Sequence, residues 1–248
     1  MSKTLMLIDG SSLIFRAFFA LPNLTNNDGV MTNGVYGFLI MYQNAFDKYN
    51  PDLVLVAFDR SSKTFRHEQF KDYKATRDKM PSELGYQFGI LKDILDSMKV
   101  SYTDLDGFEA DDIVGTYAQM GQQEGYEVVI ITGDRDYLQL VDDNITVYLT
   151  KKGISDMAEY TVNTIKDEYG LRPKQLIDVK GLEGDKSDNI PGVDGIGPKK
   201  ARDFIQKYGS IEELYEHIDE VTGKKTKQTL IDSEAIAYMS KKIGTIVK

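Results

Sequence analysis

Four short, almost wholly apolar runs constrain this chain more than any other feature: "TLMLID" at 4–9, "DLVLVAFD" at 52–59, "YEVVIITGD" at 126–134 and "ITVYLT" at 145–150. Runs of this length without polar alternation are the pattern of strands covered on both faces, as in a parallel sheet. The stretches between them have helical spacing. In 82–99, Leu84, Phe88, Leu91, Leu95 and Met98 recur at intervals of three and four, and 34–49 reads the same way. Strands alternating with helices predict an α/β fold with a central, mainly parallel sheet flanked by helices. At 248 residues, 41% of them hydrophobic, the chain can bury a sizeable core. The strand pattern stops near "YGLRPKQ" (169–175), which places a boundary at about 170, with an α/β core over 1–170 and a mostly helical region over 171–248.

Three of the four runs end in acid: Asp9, Asp59, and Asp134 followed by Asp136. Ligands of open parallel sheets bind at the carboxyl ends of the strands, so these residues are expected to converge. "GFEADDIVG" (107–115) adds Glu109, Asp111 and Asp112 at the start of a helix, and "GDKSDN" (184–189) adds Asp185 and Asp188. Singly, each has an ordinary explanation: anions suit the first turn of a helix, and Asp is a common turn and N-cap residue. Together, nine carboxylates aimed at one sheet edge cannot all stay ionised without cations among them. With no cysteine and two histidines, the available ligands are oxygens. That favours Mg²⁺ or Mn²⁺, and two such ions roughly 4 Å apart can clamp the attacking and leaving oxygens of a phosphodiester.

The net charge, 30 basic against 39 acidic residues or −9, argues weakly against a nucleic-acid partner, but its distribution matters more. "KTFRHEQFKDYKATRDK" (63–79) carries Lys63, Arg66, Lys71, Lys74, Arg77 and Lys79 against three acids, interleaved with Phe65, Phe70 and Tyr73. A solvated amphipathic helix is the plain reading of such a run. Beside the acids, it reads as a surface where basic groups hold phosphates and aromatic rings stack on unpaired bases. "GVDGIGPKKARDFIQKYGS" (192–210) has no preceding strand, so it is not a Rossmann or Walker loop. It reads as a tight turn whose N–H groups face a phosphate, leading into a helix that buries Ala201, Phe204, Ile205 and Tyr208 and leaves Lys199, Lys200 and Arg202 for a duplex backbone. A simple helix start with Pro198 in its first turn is the competing reading. No apolar run reaches the roughly 20 residues that cross a bilayer, and 5–8 is too short for a signal peptide, so the expected home is the cytoplasm.

Taken as a set, "LMLIDGSSLIFRAF", "VYGF", "FDRSSKTFRHEQFKDYKATR", "GFEADDIVG", "TGDRDYLQLV", "GLEGDKSDNIPGVDGIGPKKA" and "YGSIEELY" resemble the 5′ nuclease domain of bacterial DNA polymerase I, in the flap endonuclease superfamily. The resemblance implies a PIN-like nuclease core, a helical arch at about 60–90 and a helix-hairpin-helix element at about 185–210. It implies a first metal site of Asp9, Asp59, Glu109, Asp111 and Asp112 and a second of Asp134, Asp136, Asp185 and Asp188. Tyr73, Lys74 and Arg77 match residues that position the scissile phosphate, and Arg16 matches a basic residue near the site. Lys63, Arg66 and Lys71 fall on the DNA-binding arch. Gly192, Gly195, Gly197 and Lys199 match a turn that grips downstream duplex and often holds K⁺. The implied activity is hydrolysis of branched or nicked DNA near a 5′ end, with two Mg²⁺ or Mn²⁺ ions and a 5′ phosphate product. The implied setting is a monomeric, nucleoid-associated bacterial protein; the family pattern usually continues where this sequence stops, at Lys248, which leaves a polymerase fragment, the preferred expectation, or a short free-standing nuclease. Rival expectations are a catalytically silent DNA-structure binder, a phosphatase or a toxin-type ribonuclease. "DGS" at 9–11 lacks the D-x-D of a phosphatase nucleophile.

Overall fold

The computed structural model describes residues 3–60 and 62–248. Six strands, β1 (Lys3–Asp9), β2 (Leu53–Ala57), β3 (Ser101–Thr103), β4 (Tyr126–Thr132), β5 (Ile145–Lys152) and β6 (Asp156–Tyr160), form one sheet in the order β3-β2-β1-β4-β5-β6. All pairings are parallel except β5 with β6. Residues 5–8 are apolar throughout because β1 is central and covered on both sides. Leu5 and Leu7 enter one core, Met6 and Ile8 the other. The second core is closed by α1 (Gly10–Ala20), α2 (Asn33–Tyr49) and, past the short α3 (Phe65–Gln69), by α4 (Ser82–Met98), which contributes Leu84, Leu91 and Leu95. On the opposite face lie α5 (Ala110–Gln123) and α6 (Val162–Tyr169).

The chain order of strands reverses at β1, which has β2 on one side and β4 on the other. Loops leaving the carboxyl ends of β1, β2 and β4 therefore diverge around one crevice, the place where such sheets bind ligands. Both helical readings hold to within a residue or two. The apolar runs overstate two strands: β2 ends at Ala57 and β4 at Thr132, so Asp59 and Asp134 stand on the loops just beyond. Strands β3 and β6 escape the apolar-run criterion. One has three residues, and the other is a half-exposed antiparallel edge strand, "DMAEY".

Gly170, in the left-handed region at φ 67°, caps α6, and the helices α7 (Leu176–Glu183), α8 (Pro198–Tyr208), α9 (Ile211–Glu216), α10 (Lys224–Asp232) and α11 (Glu234–Gly244) then pack around a separate core that includes Leu182, Ile205, Leu214 and Ala237. Among the described residues no helix is long and apolar enough to cross a membrane. Between α7 and α8 the chain folds back on itself. A Cβ on Gly192 would lie 2.3 Å from the Glu183 carbonyl carbon and 2.6 Å from the Gly184 nitrogen. Gly192 is thus needed for backbone-on-backbone packing. Gly192→Ala should cost about 2 kcal/mol from overpacking, lowering the thermal midpoint by roughly 4–8 °C for a chain of this size. Calorimetry that finds no change would contradict the close approach.

Candidate metal centre and nucleic-acid interface

Five of the nine expected acids line one cavity at the crevice: Asp9, Asp59, Glu109, Asp111 and Asp134. Local hydrogen bonds fix them. Asp9 caps α1 by accepting from the Ser12 N–H at 2.9 Å, and its other oxygen accepts from the Thr132 hydroxyl at 3.0 Å, tying the end of β1 to the end of β4. Ser11 Oγ accepts from the Asp59 N–H at 2.9 Å, and the Asp59 carboxylate accepts from Ala110 N at 2.8 Å. The serines of "DGSS" and Thr132 are positioning residues that no expectation from the sequence singles out. Burial, then the charge of Asp59, pushes the Asp9 carboxyl up to about 7. Burial also raises Asp111, with Asp112 and Glu109 adding to it against the pull of Arg66.

The second set lies alongside. Asp136, Asp185 and Asp188 each offer a carboxylate oxygen within 4.8 Å of the others, a spacing that suits one cation. Asp134, grouped with this set by resemblance, stands on the first cavity and meets the second only through the Asp136 N–H, 2.9 Å from its carboxylate. Lys180 of α7, buried at 8% exposure, places its ammonium on Asp136 and 2.7 Å from Asp185. No motif marks this cation, which lies on a helix far from the basic stretch. Burial opposes the charge of Asp185, but Lys180 outweighs it and holds the carboxyl down at about 2. Asp136 goes the other way, up to about 7, through burial and the neighbouring Asp134.

The expected arch consists of α3, a run of turns over 71–76 and the start of α4, so helix is confined to its two ends. The turns fold down onto the acids. Tyr73, 4% exposed, donates its hydroxyl to Glu109 at 2.9 Å and also reaches Asp188 at 3.4 Å, so one side chain spans both clusters. Lys74 Nζ donates to Glu109 at 2.9 Å while its backbone N–H donates to the Asp188 carbonyl at 2.8 Å, and Arg77 pairs with Asp188. Lys74 sits in the left-handed region at φ 56°, a strain for a side chain of its size that this double tether holds in place. Lys63 and Lys71 are exposed on the same stretch. Arg16 donates to the Gly153 carbonyl at 3.2 Å and to Thr150 at 3.3 Å, holding α1 against the turn between β5 and β6 beside exposed Phe19.

Two expectations fail here, for one reason. Arg66 is 1% exposed and makes a bidentate pair with Asp112, at 2.6 and 2.7 Å, so it cannot meet DNA and Asp112 is turned from the cavity. The pair is part of a larger knot. Arg66 donates to the carbonyls of Ile243 at 2.9 Å and Thr245 at 3.2 Å, and Asp112 accepts from the Val247 N–H at 2.9 Å. Gln139 accepts from Ile246 N at 3.0 Å and donates to the Gly244 carbonyl at 3.1 Å. The segment after α11 thereby straps α3, α5 and the turn Arg135–Leu140 together. At the hairpin, Gly195 is exposed at φ 70° and Gly197 precedes α8. Lys199 and Lys200 are exposed, Lys200 donating to the Gly195 carbonyl at 3.1 Å, while half-buried Arg202 lines the cleft beside Asp136 and Asp185.

Removing one partner of a buried ion pair leaves the other uncompensated. Arg66→Ala should cost about 3–5 kcal/mol of folding stability; a variant with a wild-type urea midpoint and merely weaker DNA binding would restore Arg66 to the DNA surface. In metal-free protein Asp9 and Asp136 hold protons up to about pH 7, whereas the unfolded chain releases them near 3.8. Protons favour the folded state in that window, so stability contributed by these groups falls as pH rises from about 4 to 7. Urea midpoints in EDTA should drop between pH 5 and 8, and Mn²⁺ should raise the midpoint more at pH 8. A steady rise in EDTA would contradict the assignment.

Comparison with known proteins agrees with this geometry. Residues 4–170 match the family model for the 5′-3′ exonuclease N-terminal resolvase-like domain, and residues 171–248 that for the 5′-3′ exonuclease C-terminal SAM fold. DNA polymerase I of Bacillus caldotenax is 48% identical over 99% of this chain, and that of Bacillus subtilis is 48% identical over 99%. The chain spans 28% of the length of each. Bacteriophage T5 5′-exonuclease with bound zinc superimposes with a TM-score of 0.79 at 24% identity, covering 98% of this chain and 89% of that one. A pseudo-enzyme-product complex of the bacteriophage T5 flap endonuclease with DNA and metal ions gives 0.76 at 25% identity over 96% and 88%. With both halves of the sequence matched and the sheet, the helical region and the acidic crevice in place, the chain belongs to the 5′-3′ exonuclease family, as its motifs led us to expect.

Proposed function

We propose that this chain is a structure-specific 5′ nuclease that hydrolyses DNA phosphodiesters near free 5′ ends and flaps, using two Mg²⁺ or Mn²⁺ ions, as one part of a longer polymerase. One observation carries the reading: two adjoining carboxylate clusters, five acids on one cavity and three within 4.8 Å of each other, are bridged by Tyr73 and Lys74. The donor set fits hard divalent ions. It is all oxygen, and Asp9 and Asp136 are raised by burial first and by neighbouring carboxylates second, so a bound cation would favour their charged, ligating form.

Bound there, such ions supply a more acidic water and Lewis acidity at the phosphate. The chain's residues do the rest. Lys74 and Arg77, held over the clusters by Glu109 and Asp188, are placed to transfer those contacts to the non-bridging oxygens of a scissile phosphate, where charge develops. Exposed Lys63 and Lys71 continue the basic surface along a 5′ strand, and Lys199 and Lys200 at the start of α8 offer a second phosphate contact for duplex. Such contacts position DNA without reading sequence, so selectivity rests on a free 5′ end and on bending. The similar T5 flap endonuclease, in a pseudo-enzyme-product complex with DNA and metal ions, supports a DNA substrate and a metal requirement.

Asp134→Ala and Asp185→Ala remove one acid from each cluster. Each should abolish Mg²⁺-dependent cleavage of a labelled 5′ flap while leaving flap binding within a few-fold of wild type. Wild-type turnover in either variant would sink the two-cluster reading. Wild-type protein that binds flap DNA but cuts no substrate in Mg²⁺ would make it a silent binder.

A further inference from the structure

Tyr137 sits in the turn Arg135–Leu140, between the element that supplies Asp134 and Asp136 and the strap contact at Gln139. Its ring belongs to the core shared by Leu138, Leu140 and Val147, and the residue is fully buried. Its hydroxyl differs from those of two other buried tyrosines. Tyr73 donates to Glu109 and Tyr160 to Glu168 at 2.8 Å, whereas the Tyr137 hydroxyl has no hydrogen-bond partner among the described residues. Tyr137 borders instead the cavity lined by Asp9, Asp59, Glu109, Asp111 and Asp134.

A buried hydroxyl left unpaired is less favourable than one that is satisfied. Phenylalanine would fill the same space without that cost, so a tyrosine here calls for a partner that arrives with the ligand. Five of the groups that line the cavity are carboxylates, which only accept hydrogen bonds when ionised, and the hydroxyl can donate one. We propose that Tyr137 is a positioning residue of the first metal cluster, its hydroxyl donating a hydrogen bond into the ligand shell of a divalent ion held by Asp9, Asp59, Glu109, Asp111 and Asp134. Outer-shell donors of this kind orient the ligands and raise affinity for the ion. This rests on the metal-centre reading above and adds to it a group outside the carboxylate set.

The test is Tyr137→Phe in the full chain, without DNA, with two measurements. In EDTA the urea midpoint should equal or exceed that of wild type, because the change removes only an unpaired hydroxyl. In Mn²⁺ titrations by calorimetry the affinity should fall about tenfold. A lower midpoint in EDTA would mean that the hydroxyl already has a protein partner, and equal Mn²⁺ affinities would mean that it does not serve the ion; either overturns the proposal. The two readings separate cleanly. Wild-type protein that takes up Mn²⁺ no better than the variant defeats the role of Tyr137 alone, while wild-type protein that takes up no Mn²⁺ defeats the metal centre and Tyr137 with it.

Discussion

Mutual repulsion among carboxylates governs this molecule. Eight of them occupy two adjoining clusters at the carboxyl ends of parallel strands, a placement that disfavours joint ionisation unless positive charge is close by. The chain answers with cations of two kinds. Arg66 is permanent: fully buried, bidentate on Asp112 and tied to two backbone carbonyls. Lys74 and Arg77 reach the clusters from an irregular stretch and Lys180 reaches them from α7, each through the tip of a flexible side chain. The first kind holds the scaffold together. The second can be handed over to phosphate or displaced by an ion with small side-chain movements.

The position of the clusters follows from the sheet. Because β1 is central and the strand order reverses there, the loops after β1, β2 and β4 open onto a single crevice, and the hydroxyls of Ser11, Ser12 and Thr132 lock those loops to one another. Apolar pairing of Met6, Leu7 and Ile8 with both neighbours thus sets where Asp9 stands. Packing energy and chemistry share the same few residues.

Much of this was legible in the linear text. Central strands are apolar on both faces, so β1, β2, β4 and β5 announced themselves, and acids just past strand ends marked the crevice. What stayed hidden depends on who faces whom across the fold. Arg66 and Asp112 look like a DNA contact and a metal ligand until burial pairs them. Nothing in the sequence shows that a side chain at Gly192 would run into the backbone of Glu183 and Gly184. Lys180 lies in "IDVKGLEGD", with nothing nearby to single it out, and Tyr137 reads as an ordinary core position. The short β3 and the polar edge strand β6 lack the apolar run on which the strand reading depends.

The strap from Ile243 to Val247 bears on how the protein is made. Its backbone closes the knot around Arg66, Asp112 and Gln139, more than a hundred residues downstream of each of them, while Ile243 packs against Tyr73 and Ile190. A ribosome that has delivered every carboxylate of both clusters has still not delivered the piece that closes this knot. That knot can close only after residue 247 has left the exit tunnel, so a nascent chain carries its full complement of acids before α3, α5 and the turn Arg135–Leu140 are strapped together.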